Sequence, residues 1–200
     1  MKDILISLKP YFYYLIGEGI KTMEVRKSMP KADDWSRNTW FYMSKDENSF
    51  AKIPKELQDK YRKHFGKIGL KFVCDKIYDI TPHFDTPTFP NQYICGWEYG
   101  KEFDCLSFEE LTSYLNGKQG YGWHISDLVI YDKPKELGEF IVPSKIGCCN
   151  EGKCRGCKYL DRGNGFNVED DCNAKFNTDE YKPLRKAPQS WCYVEEADNV

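Results

Sequence analysis

The pattern of apolar and polar positions along the chain predicts many short strands. Runs rich in aliphatic and aromatic residues recur at short intervals, with turn-forming residues between them. The predicted strands are Ile4–Leu8, Thr22–Arg26, Thr39–Ser44, Leu70–Ile80, Trp123–Tyr131 and Phe140–Val142. Short strands in this number, with few intervening helices, indicate a small α+β barrel.

Helical signals interrupt this strand pattern at three places. An aromatic and aliphatic stretch over residues 11–19 ends near two glycines. A proline stands at the favoured first turn of an amphipathic helix over residues 55–65. The third helix, over residues 107–115, opens with a serine and a glutamate at the spacing of a capping box. Residues 81–104 are rich in proline and show little periodicity, so we expect an irregular loop there.

The composition of the chain changes after Pro143. Glycine, asparagine, aspartate, lysine and cysteine dominate the last part, and apolar residues become single and widely spaced. Such a segment cannot bury enough apolar surface to fold unaided, so it either needs a cross-link or a metal or is disordered. We therefore expect one domain over residues 1–142 and a cysteine-rich, metal-stapled tail over residues 143–200.

Composition and charge narrow the class of protein. The chain is 40% hydrophobic and 16% aromatic, which is enough for a real core. Charged residues make up 30% of it, but the formal net charge is only −2, which argues against a generic polyphosphate binder. No apolar run approaches the roughly 20 residues that span a bilayer, and the N-terminus lacks the pattern of a signal peptide. The expected location is the cytoplasm.

A lysine, a glutamate and an arginine lie close together at the entrance to the second predicted strand. In an extended strand, Thr22, Glu24 and Arg26 share one face, and Lys21 stands at the strand entrance. Such a row suits acid–base chemistry, and it suits recognition equally well. Arg26 can fork onto a phosphate or a base edge, and Glu24 can accept from an exocyclic amine. The alternative is a solvated strand face with a surface ion pair.

These residues belong to two motifs that resemble the ASCH family, a branch of the PUA-like barrels. The first motif is Ser7-Leu8-Lys9-Pro10 followed by Gly19-x-Lys21-x-x-Glu24-x-Arg26. The second is Gly122-Trp123-His124-Ile125 followed by Val129-Ile130-Tyr131-Asp132-Lys133-Pro134, which is similar to the family's closing strand. The resemblance covers about residues 1–142.

The resemblance implies a PUA-like β-barrel whose cleft is lined by the first motif. Members of the family are thought to bind RNA or modified nucleosides. One bacterial branch hydrolyses the acetyl amide of N4-acetylcytidine, and another is described as a metal-assisted ribonuclease. Lys21 matches the catalytic lysine of the amidohydrolase branch. Glu24 stands where that branch has a threonine, so this chain departs from the pattern there.

Aromatic residues are candidates to stack on an exposed base. They are Trp40, Tyr42, Tyr121 and Trp123. The alternative is that they are core or rim aromatics. His124 follows in the same stretch, and it is either a proton shuttle near neutral pH or a hydrogen-bonded strand histidine.

Cysteines in the tail have a spacing that can hold a metal. The predicted zinc ligands are Cys154, Cys157, Cys172 and Cys192, with Cys149 as an alternative. Four thiolates close a tetrahedral structural site, and metal binding supplies the folding free energy that the tail lacks. An iron–sulfur cluster is chemically open as well, as are unliganded thiols or a redox role.

Three functions remain open from the sequence. The first is a module that binds RNA, single-stranded nucleic acid or a modified nucleoside in the cleft of the first motif. The second is a hydrolase acting on RNA or an acylated nucleoside, in which Lys21 is the base or nucleophile activator and Glu24 is the proton shuttle. Arg26 or Tyr121 would then stabilise an anion. The third is a protein–protein adaptor.

Overall fold

The computed structural model describes six ranges of the chain. They are residues 3–30, 37–83, 92–95, 98–99, 105–143 and 181–197. The strands are β1 (Asp3–Leu8), β2 (Met23–Arg26), β3 (Arg37–Met43), β4 (Ile68–Cys74), β5 (Ile77–His83), β6 (Gln92–Cys95), β7 (Glu98–Tyr99), β8 (Gly120–His124), β9 (Ser126–Lys135), β10 (Phe140–Pro143), β11 (Tyr181–Pro183) and β12 (Trp191–Glu196). The α-helices are α1 (Pro10–Gly17), α2 (Glu47–Phe50), α3 (Lys55–Arg62) and α4 (Phe108–Leu115), and a short 3-10 helix covers Leu137–Glu139.

The larger of two sheets has seven strands in the order β11-β10-β12-β1-β3-β4-β9. The pairing of β1 with β3 is parallel, and the other pairings are antiparallel. Residues 181–197 contribute two of these strands, because β12 pairs with β1 and β11 pairs with β10. The described end of the predicted tail is therefore part of the larger sheet. A division of the chain near residue 142 stays a prediction.

The smaller sheet has five antiparallel strands in the order β2-β8-β5-β6-β7. It holds the charged motif on β2. In the β2–β8 register, Glu24 lies opposite Trp123, and Arg26 lies opposite Tyr121. The charged part of the first motif and the first part of the second motif thus lie on neighbouring strands.

Three clusters of buried apolar residues form the core. The alternation of β1 supplies the first two, because Ile4 and Ile6 join one cluster with α1 while Leu5 joins another across the larger sheet. The third cluster lies between β2 and α4, where Met23 and Val25 pack with Leu111 and Leu115 of the helix. This third cluster fixes α4 against the strand that carries the charged motif.

The start of α4 confirms the predicted capping box. The Ser107 side chain accepts a hydrogen bond from the Glu110 backbone N–H at 3.2 Å. The Glu110 carboxylate accepts one from the Ser107 backbone N–H at 2.9 Å. These two bonds satisfy donors that the first turn of a helix otherwise leaves open.

The predicted α+β class is confirmed, and several predicted details differ. In the part of the chain that the structure describes, the two sheets do not join into a closed barrel. The predicted strand over residues 70–80 is two strands, β4 and β5, with a break at Asp75 and Lys76. The predicted loop over residues 81–104 contains the end of β5 and also β6 and β7, because cross-strand pairing outweighs the proline-rich composition.

The described helices include none that is both long and apolar enough to cross a membrane.

Candidate functional site

A cavity of about 670 Å³ lies at the junction of β1, α1, β2, α4 and the turn before β12. Its size is within the range typical of small-molecule sites. The lining residues are Ser7, Leu8, Lys9, Phe12, Lys21, Glu24, Val25, Arg26, Leu106, Glu109, Glu110, Ser113, Tyr114, Gln189 and Ser190. The charged motif predicted from the sequence therefore lines a cavity, and four other segments complete it.

Three buried charged side chains form one wall of this cavity. Arg26 Nη1 lies 2.5 Å from Glu24 Oε1. Lys21 Nζ lies 3.5 Å from the other carboxylate oxygen, Glu24 Oε2. The side chains of Lys21 and Glu24 are 1% and 6% exposed, and that of Arg26 is 8% exposed. Charges at this depth persist only when they are paired, and Glu24 pairs with both cations.

The motif is not a solvated row of charged side chains, because β2 is buried on both of its faces. Its Met23 and Val25 face packs on α4, and all four strand residues are buried. On the other face, Arg26 Nη2 donates to the Ser7 carbonyl at 2.9 Å, and Nη1 donates to the Val25 carbonyl at 3.1 Å. The alternative of a surface ion pair is wrong for these residues. Arg26 ties β2 to the end of β1.

Two polar atoms of the cavity residues have no hydrogen-bond partner among the described residues. They are Arg26 Nε and Ser7 Oγ, and both atoms are buried. The three other such side-chain atoms belong to Ser44, Thr112 and Trp123, which do not line the cavity. A buried polar atom that stays unbonded costs about 1–3 kcal/mol. A ligand or water that bonds to Arg26 Nε and Ser7 Oγ therefore recovers free energy.

Lys21 is held from two sides. Its backbone N–H donates to the Leu15 carbonyl at the end of α1 at 3.0 Å. Its Nζ atom lies 5.6 Å from the centroid of the Phe12 ring, within cation–π range. Phe12 thus provides an aromatic wall of the cavity next to the ammonium group.

The four aromatic residues predicted to stack on a base lie outside the cavity lining. Trp40 and Tyr42 belong to the second core cluster, and the Trp40 indole N–H donates to the Asp3 carboxylate at 2.8 Å. Trp123 is fully buried in the first core cluster, and Tyr121 packs against that cluster while partly exposed. These positions fit the alternative of core and rim aromatics. The aromatic residues of the cavity are Phe12 and Tyr114.

Thr22 and His124 also lie outside the cavity lining. The Thr22 carbonyl accepts from the Ile125 backbone N–H at 2.9 Å. His124 Nδ1 lies 2.6 Å from Asp75 Oδ1, and this hydrogen bond lowers the pKa of the Asp75 carboxyl. His124 is thus a hydrogen-bonded strand histidine, which is one of its two predicted roles.

The sequence interpretation missed the α4 wall and the turn before β12. Glu109, Glu110, Ser113 and Tyr114 share one face of α4, because they are spaced by one and four residues along the helix. Helical periodicity indicates that face once α4 is known to pack on β2. No local signal marks Gln189 and Ser190, which reach the cavity because β12 pairs with β1.

The predicted metal ligands lie mostly outside the described residues. This holds for Cys149, Cys154, Cys157 and Cys172. Cys192 lies in β12 opposite Leu5, and burial raises the pKa of its thiol to about 11. The described ranges contain no group of three or more metal-ligating side chains. The zinc site stays a prediction from the sequence.

The chain resembles solved structures but matches no sequence family. No family model matches it. No curated protein matches it either. It is similar to the crystal structure of the ASCH protein from Zymomonas mobilis, at 17% identity and a TM-score of 0.45, over 99% of this chain and 91% of that chain. Two variants of that protein, each with one substitution, match at 18% identity.

Those two variants have TM-scores of 0.44 and 0.43. The matches cover 98% and 97% of this chain, and 91% and 89% of theirs. All three structures are named for the family that the sequence motifs resemble. A likeness at this level concerns the fold alone.

Proposed function

We propose that the cavity beside β2 binds the base of an RNA or of a modified nucleoside. The observation that carries this proposal is the pair of buried, unpartnered polar atoms, Arg26 Nε and Ser7 Oγ, in residues of one cavity. To a ligand that reaches these enclosed atoms, Arg26 Nε–H would be a donor, and the Ser7 hydroxyl would be a donor and an acceptor. A nucleobase edge presents complementary groups, and it would recover the hydrogen bonds that these two atoms lack.

The surroundings of Arg26 support a binding role because they hold its guanidinium in one place. Nη1 contacts the Glu24 carboxylate and donates to the Val25 carbonyl, and Nη2 donates to the Ser7 carbonyl. The side chain therefore loses little conformational entropy when Nε–H meets an acceptor. Phe12 and Tyr114 add aromatic surface to the same cavity, as a flat heterocycle requires.

A direct test is native mass spectrometry of the purified protein, followed by titration with ribonucleosides and short oligoribonucleotides. We expect a retained or titratable nucleoside or RNA, and weaker binding in Arg26→Lys, which removes the guanidinium. Arg62→Lys is a matched control, because Arg62 pairs with Glu47 at the surface outside the cavity. Absence of binding to every probe contradicts the proposal.

A second candidate function is hydrolysis of RNA or of an acylated nucleoside. The observation that favours it is the buried Lys21 ammonium, 3.5 Å from a Glu24 carboxylate oxygen in the same cavity. A lysine and a carboxylate at one ligand site can exchange a proton with a reacting group. Lys21→Met separates the two functions. A hydrolase loses turnover in this variant, while a binding module shows only weaker binding and no turnover in the wild type.

We also propose that the tail cysteines hold a structural zinc ion. The sequence supports this proposal. Cys154 and Cys157 form a Cys-x-x-Cys knuckle, and Cys172 and Cys192 follow along the chain. Elemental analysis of protein purified under reducing conditions would then give one zinc per chain. A Cys154→Ser/Cys157→Ser variant would lose the metal. A wild-type protein without metal contradicts this proposal and leaves the cavity proposal untouched.

A further inference from the structure

One wall of the cavity is α4, and the first turn of this helix is acidic. The first turn of the helix carries Glu109 and Glu110, and both residues line the cavity. The N-terminal end of a helix normally attracts anions through its free N–H groups and its dipole. Here two carboxylates and the Ser107 cap already occupy that end, so it offers nothing to a phosphate.

Among the described residues, the charges of the cavity lining cancel. These residues include three cationic and three anionic side chains, namely Lys9, Lys21, Arg26, Glu24, Glu109 and Glu110. The two buried cations both pair with Glu24. A site that binds phosphate shows a local excess of positive charge or a bidentate arginine. In the described lining as a whole the charges balance, and the terminal nitrogens of Arg26 are already bound by Glu24 and two backbone carbonyls. This balance suits a neutral ligand.

Glu109 is the carboxylate of this wall that lies outside the capping box. Its side chain is exposed, and hydrogen bonds from its own backbone and from Ser107 lower the pKa of the carboxyl. It is therefore ionised at neutral pH. Glu110, in contrast, is engaged with the Ser107 backbone N–H in the capping box.

Tyr114 provides a flat surface one turn further along the same helix face. Its ring is 37% exposed, although it lines the cavity. The Lys27 ammonium lies 5.1 Å from the ring centroid, within cation–π range. An exposed ring in this position is suited to stacking on a base.

We infer that α4 is the specificity wall of the cavity and selects an uncharged nucleoside over its 5′-phosphorylated form. Tyr114 stacks on the base, and the Glu109 carboxylate repels a phosphate at the mouth. Both residues are specificity-determining and lie outside the Lys21, Glu24 and Arg26 motif. This inference rests on the proposed binding of a base in the cavity, and of the two ligands proposed there it selects the nucleoside over RNA.

The test compares the four ribonucleosides with their 5′-monophosphates by isothermal titration calorimetry at low salt. The wild type is expected to bind at least one nucleoside about ten-fold more tightly than its monophosphate. Glu109→Gln removes the charge without changing the shape, and it should reduce that preference about three- to ten-fold. Tyr114→Ala should weaken binding of the nucleoside about five-fold or more, while Tyr114→Phe should retain it.

Glu56→Gln is the matched control, because Glu56 occupies the same second position of an eight-residue helix, α3, outside the cavity. It should leave the preference unchanged. Equal binding of nucleosides and monophosphates by the wild type, or an unchanged preference in Glu109→Gln, overturns the inference but leaves the proposed function standing. Absence of binding to all eight probes overturns the inference, and the titration with oligoribonucleotides then decides the proposed function separately.

Discussion

Two clusters of polar side chains contact α1 or the residues that flank it, and they differ in how completely their buried atoms are bonded. The first is the cavity cluster, made of Ser7, Lys21, Glu24 and Arg26. Its charges are paired with one another, but Arg26 Nε and Ser7 Oγ have no partner within the described part of the chain. This cluster also borders a cavity.

The second is the tyrosine–histidine cluster, made of Tyr13, Glu18, Tyr61 and His64. The Tyr13 hydroxyl and His64 Nδ1 are hydrogen-bonded at 3.0 Å, and the Tyr61 hydroxyl donates to Glu18 at 2.6 Å. Across the described ranges, no polar atom of these four side chains is both buried and unbonded. None of the four lines the cavity described above.

The two clusters illustrate two roles that buried polar side chains can have in a protein. A fully bonded cluster recovers the free energy lost on desolvation within the protein itself, so it serves the fold. A cluster that leaves donors open beside a cavity recovers that free energy only from a bound molecule, so it serves binding. Substitutions in the two clusters should accordingly affect stability and binding in different proportions.

The largest expected effect is on the cavity cluster itself. Glu24→Ala leaves the Arg26 guanidinium buried without its carboxylate, and the free energy of unfolding should fall by about 3–5 kcal/mol. Urea unfolding followed by circular dichroism measures this loss. Glu47→Ala breaks the exposed pair with Arg62 and should cost less than about 1 kcal/mol. Equal losses in the two variants would contradict the role of burial.

The tyrosine–histidine cluster should make stability depend on pH. Burial lowers the pKa of His64 from 6.5 to about 4, so the unfolded chain binds more protons than the folded protein between these values. The free energy of unfolding should therefore keep its highest value above pH 6.5 and fall by up to about 3 kcal/mol as the pH drops to 4. Unfolding curves at several pH values test this slope, which His64→Gln should reduce.

Gly69 tests how tightly the same cluster is packed. A Cβ atom there would collide with His64 Nδ1 and lie 2.7 Å from the Tyr13 hydroxyl. Gly69→Ala should therefore lower the free energy of unfolding by about 1–3 kcal/mol, through displacement of the His64 ring. Gly138→Ala is the control, since nothing lies within 4 Å of a Cβ at that position. Similar thermal stability of both variants would show that the cluster is loosely packed.

Local sequence signals predicted those features that depend on neighbouring residues. The capping box of α4 needs only Ser107 and Glu110, and it forms as predicted. The break between β4 and β5 was not predicted, although it has a local signal. Apolar residues alternate up to Cys74, and the next one in the series, Ile77, is three positions further on. That spacing breaks the period of a strand.

Features that depend on contacts between residues far apart in the chain could not be predicted from the sequence. The motif was recognised on Lys21, Glu24 and Arg26, but its burial depends on α4 covering one face of β2 and on Ser7 binding Arg26 from β1. Trp40 is a core residue because of its place in the larger sheet. In the sequence, a core tryptophan looks the same as a tryptophan that stacks on a base. These cases depend on which strands and helices pack together, and a single sequence does not reveal that arrangement.

The most direct test of the central claim is the dissociation constant of the tightest-binding nucleoside for Ser7→Ala and Ser44→Ala. Both variants remove a buried hydroxyl that has no partner among the described residues, but only Ser7 lines the cavity. Stability should not fall in either variant, because each removes the cost of an unbonded buried hydroxyl and no hydrogen bond of the folded protein is lost. Ser7→Ala should weaken binding by about 1 kcal/mol, or roughly five-fold, and Ser44→Ala should leave it unchanged. Equal affinities in the two variants would contradict the claim that the open atoms of the cavity cluster serve binding.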